Sequence, residues 1–276
     1  MPGVPDAVYV LARRILLDAL QALGDQRDAL VLVGAQAIYL HTGDGDLAVA
    51  PYTTDGDIAL DPSELSDAPK LEEAMRAAGF VLDLQQPGVW LASEGVTIDL
   101  LVPEAVGGAG RRGARLGEHG NRAARKARGL EATLVDNEPM EITALAADDE
   151  RLCQIAVAGP AALLVAKLHK LGEREEASGR SDDKDALDVL RLLRASPTQT
   201  LAGRLSMLRD NPRSGAVTVE AMDYLRALFA EPTAPGSQMA ARAATPLEDA
   251  DVVAASSAAL ATDLLNTGEV RQPQAR

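Results

Sequence analysis

Two acidic side chains stand two positions apart in the segment TTDGDIAL, residues 53–60. Asp55 and Asp57 open a predicted strand, and side chains at positions i and i+2 of a strand point to the same side of a sheet. The two carboxylates repel each other unless a cation neutralises them. Mg²⁺ or Mn²⁺ suits such a pair, because these ions take a few carboxylate oxygens and complete their shell with water and phosphate oxygens. The pair alone is weak evidence, since Asp and Gly are also common in turns.

A glycine turn and a third carboxylate accompany this pair. The apolar run at residues 29–33 predicts a buried strand, and Gly34 and Ala35 lead from it directly into a helix. Such a junction leaves main-chain N–H groups free at the positive end of the helix, where a phosphate can bind. Asp99 lies within an otherwise apolar strand, and a buried carboxylate needs a partner or a cation. The alternative for Asp99 is an edge strand that faces water.

The second half of the chain carries charged residues at helical spacing. Lys167 lies in a predicted helix at residues 160–171, and Asp185 and Asp188 stand one turn apart on the next predicted helix. The first helix can bury its leucines while Lys167 extends towards a phosphate, and either aspartate can pair with the ammonium group and orient it. The alternative is a solvated charged surface from which Lys167 reaches into water.

The elements that must position these residues form two parts. Hydrophobic periodicity and turn residues predict the first part as α/β (α+β), a mixed β-sheet flanked by helices, and the second part as a helical domain. We expect a first domain at residues 1–158 and a helical domain at residues 159–276, with a linker at 230–245 and a last helix at 246–266 capped by Thr245. The predicted strands cover residues 29–33, 57–60, 80–84, 89–92, 96–102, 130–135, 140–145 and 152–157, and the predicted helices residues 5–23, 35–40, 68–78, 160–171, 183–195, 198–209 and 216–229.

The order of these motifs resembles a known family. A strand, Gly34 and a helix, then Asp55-x-Asp57 and a later Asp99, are similar to the signature of the DNA polymerase β-like nucleotidyltransferase superfamily. The segments AKLHKLGER and KDALDV resemble the K…R…KD…D pattern of AbiEii-type bacterial nucleotidyltransferases, a group that includes toxins of toxin–antitoxin and phage-defence systems. The resemblance covers roughly residues 30–195. It departs from the family at Ala35, where Gly or Ser is usual.

The resemblance implies that an NMP moves from an NTP to an acceptor hydroxyl, and a toxin of this group would have an antitoxin as its partner. It implies metal ligands at Asp55, Asp57 and Asp99, catalytic roles for these three and Lys167, and nucleotide binding by Gly34, Ala35, Lys167, Asp185 and Asp188. Asp99 would also position the acceptor hydroxyl. Two other classes stay open. A D-x-D glycosyltransferase would need a larger unit than the roughly 54 residues before Asp55, and Ala35 leaves open an inactive relative that acts as a binding module.

Charge and composition limit the partners. The net charge of −14 over 276 residues argues against duplex nucleic acid bound across the whole surface. The segment from Arg111 to Arg128 has seven basic side chains and one acidic side chain, which predicts contact with a polyanion. The resemblance implies that this polyanion is the acceptor, for example a tRNA. The alternative is a long solvated loop. One cysteine, no signal-peptide pattern and no long apolar run lead us to expect a cytoplasmic protein with no membrane contact.

Overall fold

The structure is a computed structural model that describes residues 6–43, 49, 52–176 and 183–270. A mixed β-sheet organises the first 158 residues, in the order β3-β4-β5-β2-β1-β8-β7, and β6 pairs with the end of β5. The strands are β1 (Leu30–Val33), β2 (Asp55–Leu60), β3 (Val81–Leu82), β4 (Val89–Leu91), β5 (Thr97–Pro103), β6 (Arg125–Ala127), β7 (Asn137–Thr143) and β8 (Leu152–Ala158). The predicted mixed α/β fold is confirmed.

The central strands are covered on both faces, which is why their sequences are almost continuously apolar. All four residues of β1 are buried. Strand β2 runs antiparallel to β1 and parallel to β5, and β8 runs parallel to β1. Helices α1 (Ala7–Ala22), α2 (Gly34–Thr42) and α3 (Leu71–Ala77) flank the sheet. The helix α1 begins after Asp6, whose Oδ1 accepts a hydrogen bond from the N–H of Val8 at 2.8 Å.

The second part of the chain is helical and packs against α2. Helices α4 and α5 both contact α2, α4 also packs on α7, and α8 lies between α5 and α9. The hydrophobic core therefore continues from the sheet into the helices, as the buried side chains of Leu16, Ile38, Leu164 and Leu190 illustrate. Among the described residues, no helix has both the length and the apolar character needed to span a bilayer. The helices are α4 (Pro160–Glu176), α5 (Asp183–Ala195), α6 (Thr198–Asp210), α7 (Gly215–Phe229), α8 (Pro235–Ala244) and α9 (Ala250–Val270).

Two predicted elements are wrong. Residues 130–135 do not form a strand, because Gly129 adopts a left-handed conformation and a 3₁₀-helix follows at Leu130–Leu134. The predicted linker at 230–245 contains α8, whose alanines are strong helix formers and whose inner face is buried. Thr245 therefore ends α8 and does not cap the last helix. That helix begins after Asp249, whose Oδ1 accepts hydrogen bonds from the next turn.

The basic segment from Arg111 to Arg128 is packed onto the sheet. It contains a short 3₁₀-helix (Gly117–His119) and β6, and Ala114, Ala123 and Ala124 are buried. The indole N–H of the buried Trp90 donates to the main-chain oxygen of Ala123 at 2.9 Å. These contacts fix the main chain of the segment beside β4 and β5. The segment has little regular secondary structure, but it is packed against the sheet and is not a solvated loop.

Candidate active site

The structure brings the three predicted aspartates to one face of the sheet. Strands β2 and β5 are parallel, with Asp55 opposite Thr97 and Asp57 opposite Asp99. Residues in register on neighbouring strands, and residues two apart on one strand, share a face. Asp55, Asp57 and Asp99 therefore project together. Val33, the last residue of β1, lies opposite Asp57 on the other side of β2, which places the Gly34 turn beside the same carboxylate.

Gly34 is required at this turn for two reasons. Its φ of +69° belongs to the left-handed region, and a Cβ at this position would lie 2.0 Å from Oδ2 of Asp57. Only glycine lets the main chain at the start of α2 approach the carboxylate so closely. Among the residues that the structure describes, no side chain caps the first turn of α2, and its N–H groups lie at the positive end of the helix. The side chain of Ala35, the next residue, is buried in the core.

The three carboxylates differ in their partners. Oδ1 of Asp55 accepts a hydrogen bond from Thr53 Oγ1 at 2.5 Å, and Oδ2 of Asp99 accepts one from Nη2 of Arg125 at 2.5 Å. Within the part of the chain that the structure describes, nothing hydrogen-bonds or forms an ion pair with the carboxylate of Asp57. Burial, together with the charges of Asp55 and Asp99, raises the pKa of Asp57 to about 7, although Lys170 and Lys167 oppose the increase. The negative charge at Asp57 is therefore poorly compensated.

This environment fits a divalent cation bound by two carboxylates. Asp55 and Asp57 offer the hard oxygen donors that Mg²⁺ and Mn²⁺ prefer, and a bound cation would relieve the repulsion that raises the pKa of Asp57. Asp99 differs, because Arg125 already neutralises it. As the side chains stand, the described residues contain no group of three or more His, Cys, Asp or Glu arranged as ligands. Among the described residues, the donors that this face offers to a cation are thus the two carboxylates of Asp55 and Asp57.

Lys167 joins two buried aspartates of the next helix. Its Nζ lies 2.5 Å from Oδ1 of Asp185 and 2.8 Å from Oδ2 of Asp188, and all three residues are buried. Burial alone would lower the pKa of Lys167, but the charges of Asp188 and Asp185 raise it well above its usual value. Burial would likewise raise the pKa of Asp185, yet the neighbouring lysines hold it well below its usual range. The predicted pairing is confirmed, and it leaves Lys167 little freedom to reach a phosphate.

Two further lysines, Lys170 and Lys184, lie near the exposed side of the site, and neither is among the site residues predicted from the sequence. The side chain of Lys170 is 46% exposed, with Nζ 2.9 Å from Oδ2 of Asp185, and its charge acts on Asp57 more strongly than that of Lys167. Nζ of Lys184 lies 3.4 Å from Thr53 Oγ1, which in turn donates to Asp55. The sequence spacing alone could have indicated both lysines. Lys170 follows Lys167 by one helical turn, and Lys184 precedes Asp185 directly.

The main chain of Asp55 is held from α2. Nε2 of Gln36 donates to the main-chain oxygen of Asp55 at 3.0 Å, and Nε of the buried Arg13 donates to Oε1 of Gln36 at 2.8 Å. Arg13 also donates to the main-chain oxygen of Thr143 on β7. The start of β2 is therefore tied to α1, α2 and β7, which fixes where the first carboxylate leaves the sheet.

The seven basic side chains of the segment from Arg111 to Arg128 fall into two groups. One group has hydrogen-bond or ion-pair partners within the protein, and the other has no ion-pair partner among the described residues. Arg122 donates to the main-chain oxygens of Asp83 and Leu84, and Arg128 forms ion pairs with Glu104 and Glu220. Arg125 pairs with Asp99, and Lys126 donates to the main-chain oxygens of Gly108 and Gly110. Across the described ranges of the chain, no ion pair involves the three exposed arginines Arg111, Arg112 and Arg115.

The comparison with protein families gives one match that covers most of the chain. A family model described as nucleotidyltransferase matches residues 13–208. This range includes the sheet, the Gly34 turn, the three aspartates and the lysine–aspartate network. Comparison with curated proteins and with solved structures gives no significant match.

We expect Lys167→Met to destabilise the fold strongly, because it leaves Asp185 and Asp188 buried without their shared cation. Breaking such a buried ion pair costs about 3–5 kcal/mol of unfolding free energy. Lys170→Met removes the same charge from an exposed position on the same helix and should cost about 0–1 kcal/mol. Urea denaturation followed by circular dichroism measures both. Equal stability of the two variants would show that the Lys167 network contributes little.

A second prediction concerns Asp57 and pH. Its pKa is about 7 in the folded protein against an ordinary value of 3.8, so its protonated form stabilises the fold at low pH and that contribution is lost as the pH rises through about 7. Without metal, Asp57→Asn should therefore melt at a higher temperature than the wild type at about pH 8 and at a similar temperature at about pH 4. The exposed Asp210→Asn is the control. A difference that did not depend on pH would contradict the prediction.

Proposed function

The chain belongs to a nucleotidyltransferase family, and from this premise we propose that it transfers an NMP from an NTP to an acceptor hydroxyl in a reaction that depends on Mg²⁺ or Mn²⁺. The observation that carries the proposal is the carboxylate of Asp57, which has no partner among the described residues and lies beside the Gly34 turn, with Asp55 and Asp99 on the same face. A triphosphate with its cation matches this arrangement of acidic side chains and free main-chain N–H groups.

In the proposed reaction the acceptor oxygen attacks the α-phosphorus of the NTP. A bond forms between these two atoms, and the bond from the α-phosphorus to the oxygen that bridges to the β-phosphate breaks. The acceptor hydroxyl gives its proton to water, and pyrophosphate leaves. Asp55 and Asp57 would hold the divalent ion, which when bound stabilises negative charge on the phosphate oxygens. Asp99 would place the acceptor hydroxyl through the carboxylate oxygen that Arg125 does not contact. The pairing with Arg125 is our reason for separating Asp99 from the expected metal ligands.

The phosphates would bind at the start of α2 and at two lysines. The N–H groups that follow Gly34, including that of Ala35, can donate to phosphate oxygens through the main chain alone, so a serine at position 35 is not needed. Lys170 and Lys184 would neutralise the charge that builds on pyrophosphate. Lys167, held by Asp185 and Asp188, would act through these neighbours by fixing α5, which carries Lys184. We propose that residues 1–158 and 159–276 form two domains with the nucleotide between them.

The acceptor is proposed to carry phosphates. Within the segment from Arg111 to Arg128, the exposed Arg111, Arg112 and Arg115 are available for it, whereas Arg122, Arg125 and Arg128 have internal partners. The segment is joined to the site, since the N–H of Lys126 on β6 donates to the main-chain oxygen of Arg112 at 2.8 Å. A polyanion such as tRNA on these arginines would therefore lie beside the third carboxylate.

The resemblance to AbiEii-type nucleotidyltransferases supports a narrower proposal, that the enzyme acts as a toxin or in phage defence and is controlled by an antitoxin. Growth arrest on expression of the wild type, with normal growth on expression of Asp57→Asn, would support this role. Normal growth with an active enzyme would contradict it. The activity proposed above does not depend on the outcome.

We expect Asp55→Asn and Asp57→Asn each to lower NMP transfer below roughly a tenth of the wild-type rate, because the divalent ion loses one of its two protein ligands. Incubation with labelled NTPs, Mg²⁺ and a cell lysate measures transfer. Asp210→Asn changes an exposed carboxylate at the end of α6 and should leave the rate unchanged. Transfer of a sugar from labelled sugar nucleotides, or the absence of any transfer, would favour the glycosyltransferase or the inactive relative instead.

A further prediction concerns the acceptor. The triple change Arg111→Ala, Arg112→Ala and Arg115→Ala should raise the acceptor KM and leave NTP affinity unchanged. Each lost phosphate contact should also lower the log–log salt slope of acceptor binding by about one unit.

The matched control for this prediction removes three exposed arginines that pair with acidic side chains elsewhere, Arg14, Arg76 and Arg226. This control changes the net charge equally and should leave the acceptor KM near the wild-type value. An acceptor KM that is the same for both triple variants and insensitive to salt would contradict a phosphate-rich acceptor at this surface.

A further inference from the structure

Arg125 lies beside Asp99, the third carboxylate of the site. It lies on β6 opposite Leu101 of β5, in parallel register, and therefore shares a sheet face with Asp99 two positions earlier on β5. Its Nη2 is 2.5 Å from Oδ2 of Asp99, whose side chain is only 16% exposed. The short contact between opposite charges at a half-buried position makes this a strong ion pair.

The main chain that carries Arg125 is fixed on several sides. Gly113 forms a β-bridge with Arg125, and the N–H of Lys126 donates to the main-chain oxygen of Arg112 at 2.8 Å. On the opposite side, a Cβ at Gly88 would lie 2.5 Å from the main-chain nitrogen of Arg125. Because the main chain is held in this way, the guanidinium stays close to Asp99 as a built part of the site.

The charges on the three carboxylates are therefore distributed unevenly. The positively charged guanidinium of Arg125 lies beside the carboxylate of Asp99. Among the described residues, Asp57 has no partner and Asp55 has only the hydroxyl of Thr53. A divalent ion between Asp55 and Asp57 meets two uncompensated carboxylates. A second ion at Asp99 would meet a carboxylate that is already neutralised and a guanidinium of its own sign, which repels it.

We propose that the site binds one divalent ion, through Asp55 and Asp57, and that Arg125 provides at Asp99 the positive charge that a second ion would otherwise bring. Arg125 is then a positioning residue. It orients the Asp99 carboxylate so that Oδ1 faces the acceptor hydroxyl, and it keeps a second ion out. This inference rests on the proposed function and specifies how many ions that function uses.

The test counts Mn²⁺ ions for each bound nucleotide. The wild-type protein is titrated with Mn²⁺ in the presence of the non-transferable α,β-methylene analogues of ATP, GTP, CTP and UTP, each used separately. Equilibrium dialysis gives the ratio of bound Mn²⁺ to bound nucleotide, and electron paramagnetic resonance detects the coupling of two Mn²⁺ ions about 4 Å apart. We expect a ratio of one and no coupling.

Variants of Arg125 test its role directly. Arg125→Met removes the charge and should raise the ratio to two, with coupled ions, while Arg125→Lys keeps the charge and should hold the ratio at one. Arg122→Met is the matched control, because Arg122 belongs to the same segment and its guanidinium donates to main-chain oxygens of Asp83 and Leu84. It should keep the wild-type ratio.

Each outcome has a definite meaning. A ratio of two in the wild type, or a ratio of one in folded Arg125→Met, overturns the inference and leaves the proposed function intact. No bound Mn²⁺ with any nucleotide analogue overturns the metal dependence of the proposed function, and the inference with it. If Arg125→Met does not fold, the wild-type ratio and the absence or presence of coupling decide.

Discussion

Asp55, Asp57 and Asp99 place three carboxylates on one face of the sheet, and their mutual repulsion is the constraint on which the surrounding contacts depend. Parallel pairing of β2 with β5 sets Asp57 and Asp99 side by side, and the i, i+2 spacing adds Asp55 to the same face. The three carboxylates have different partners. The guanidinium of Arg125 donates to Asp99 and the hydroxyl of Thr53 donates to Asp55, whereas Asp57 has no partner among the described residues. The fold thus retains an uncompensated charge at Asp57, where a substrate cation can neutralise it.

The helical part of the chain contributes positive charge to this face and must hold it in place. A buried ammonium between two buried carboxylates is stable only if all three remain together, since each charge would otherwise be desolvated without compensation. The network of Lys167, Asp185 and Asp188 therefore holds α4 to α5. Those helices also carry Lys170 and Lys184, so the buried ion cluster fixes the two helices from which these lysines extend.

In the basic segment, the number of positive side chains is larger than the number available to a ligand. Seven positive side chains in eighteen residues indicate an anion-binding surface. Four of them, however, donate hydrogen bonds to oxygen atoms of the protein itself. Their partners are main-chain oxygens and carboxylates distant in sequence. What remains for a ligand is a smaller group of arginines on a segment that is fixed to the sheet, beside the carboxylate that Arg125 neutralises.

The sequence by itself determined the features that depend on local geometry. The apolar run, Gly34 and the following helix, the shared face of Asp55 and Asp57, and the one-turn spacing of Asp185 and Asp188 follow from the periods of strands and helices. Most helices and strands were predicted for the same reason, and the misassigned residues 130–134 and 235–244 lie where a left-handed glycine and an alanine-rich turn sequence leave the local pattern ambiguous. Only the tertiary structure decided which strands are neighbours, and therefore that Asp99 faces Asp57. It also decided that Arg125 neutralises Asp99 and that Lys167 is enclosed by carboxylates. These contacts join residues 18 to 42 positions apart, and their energies depend on burial and distance, which no local pattern of residues encodes.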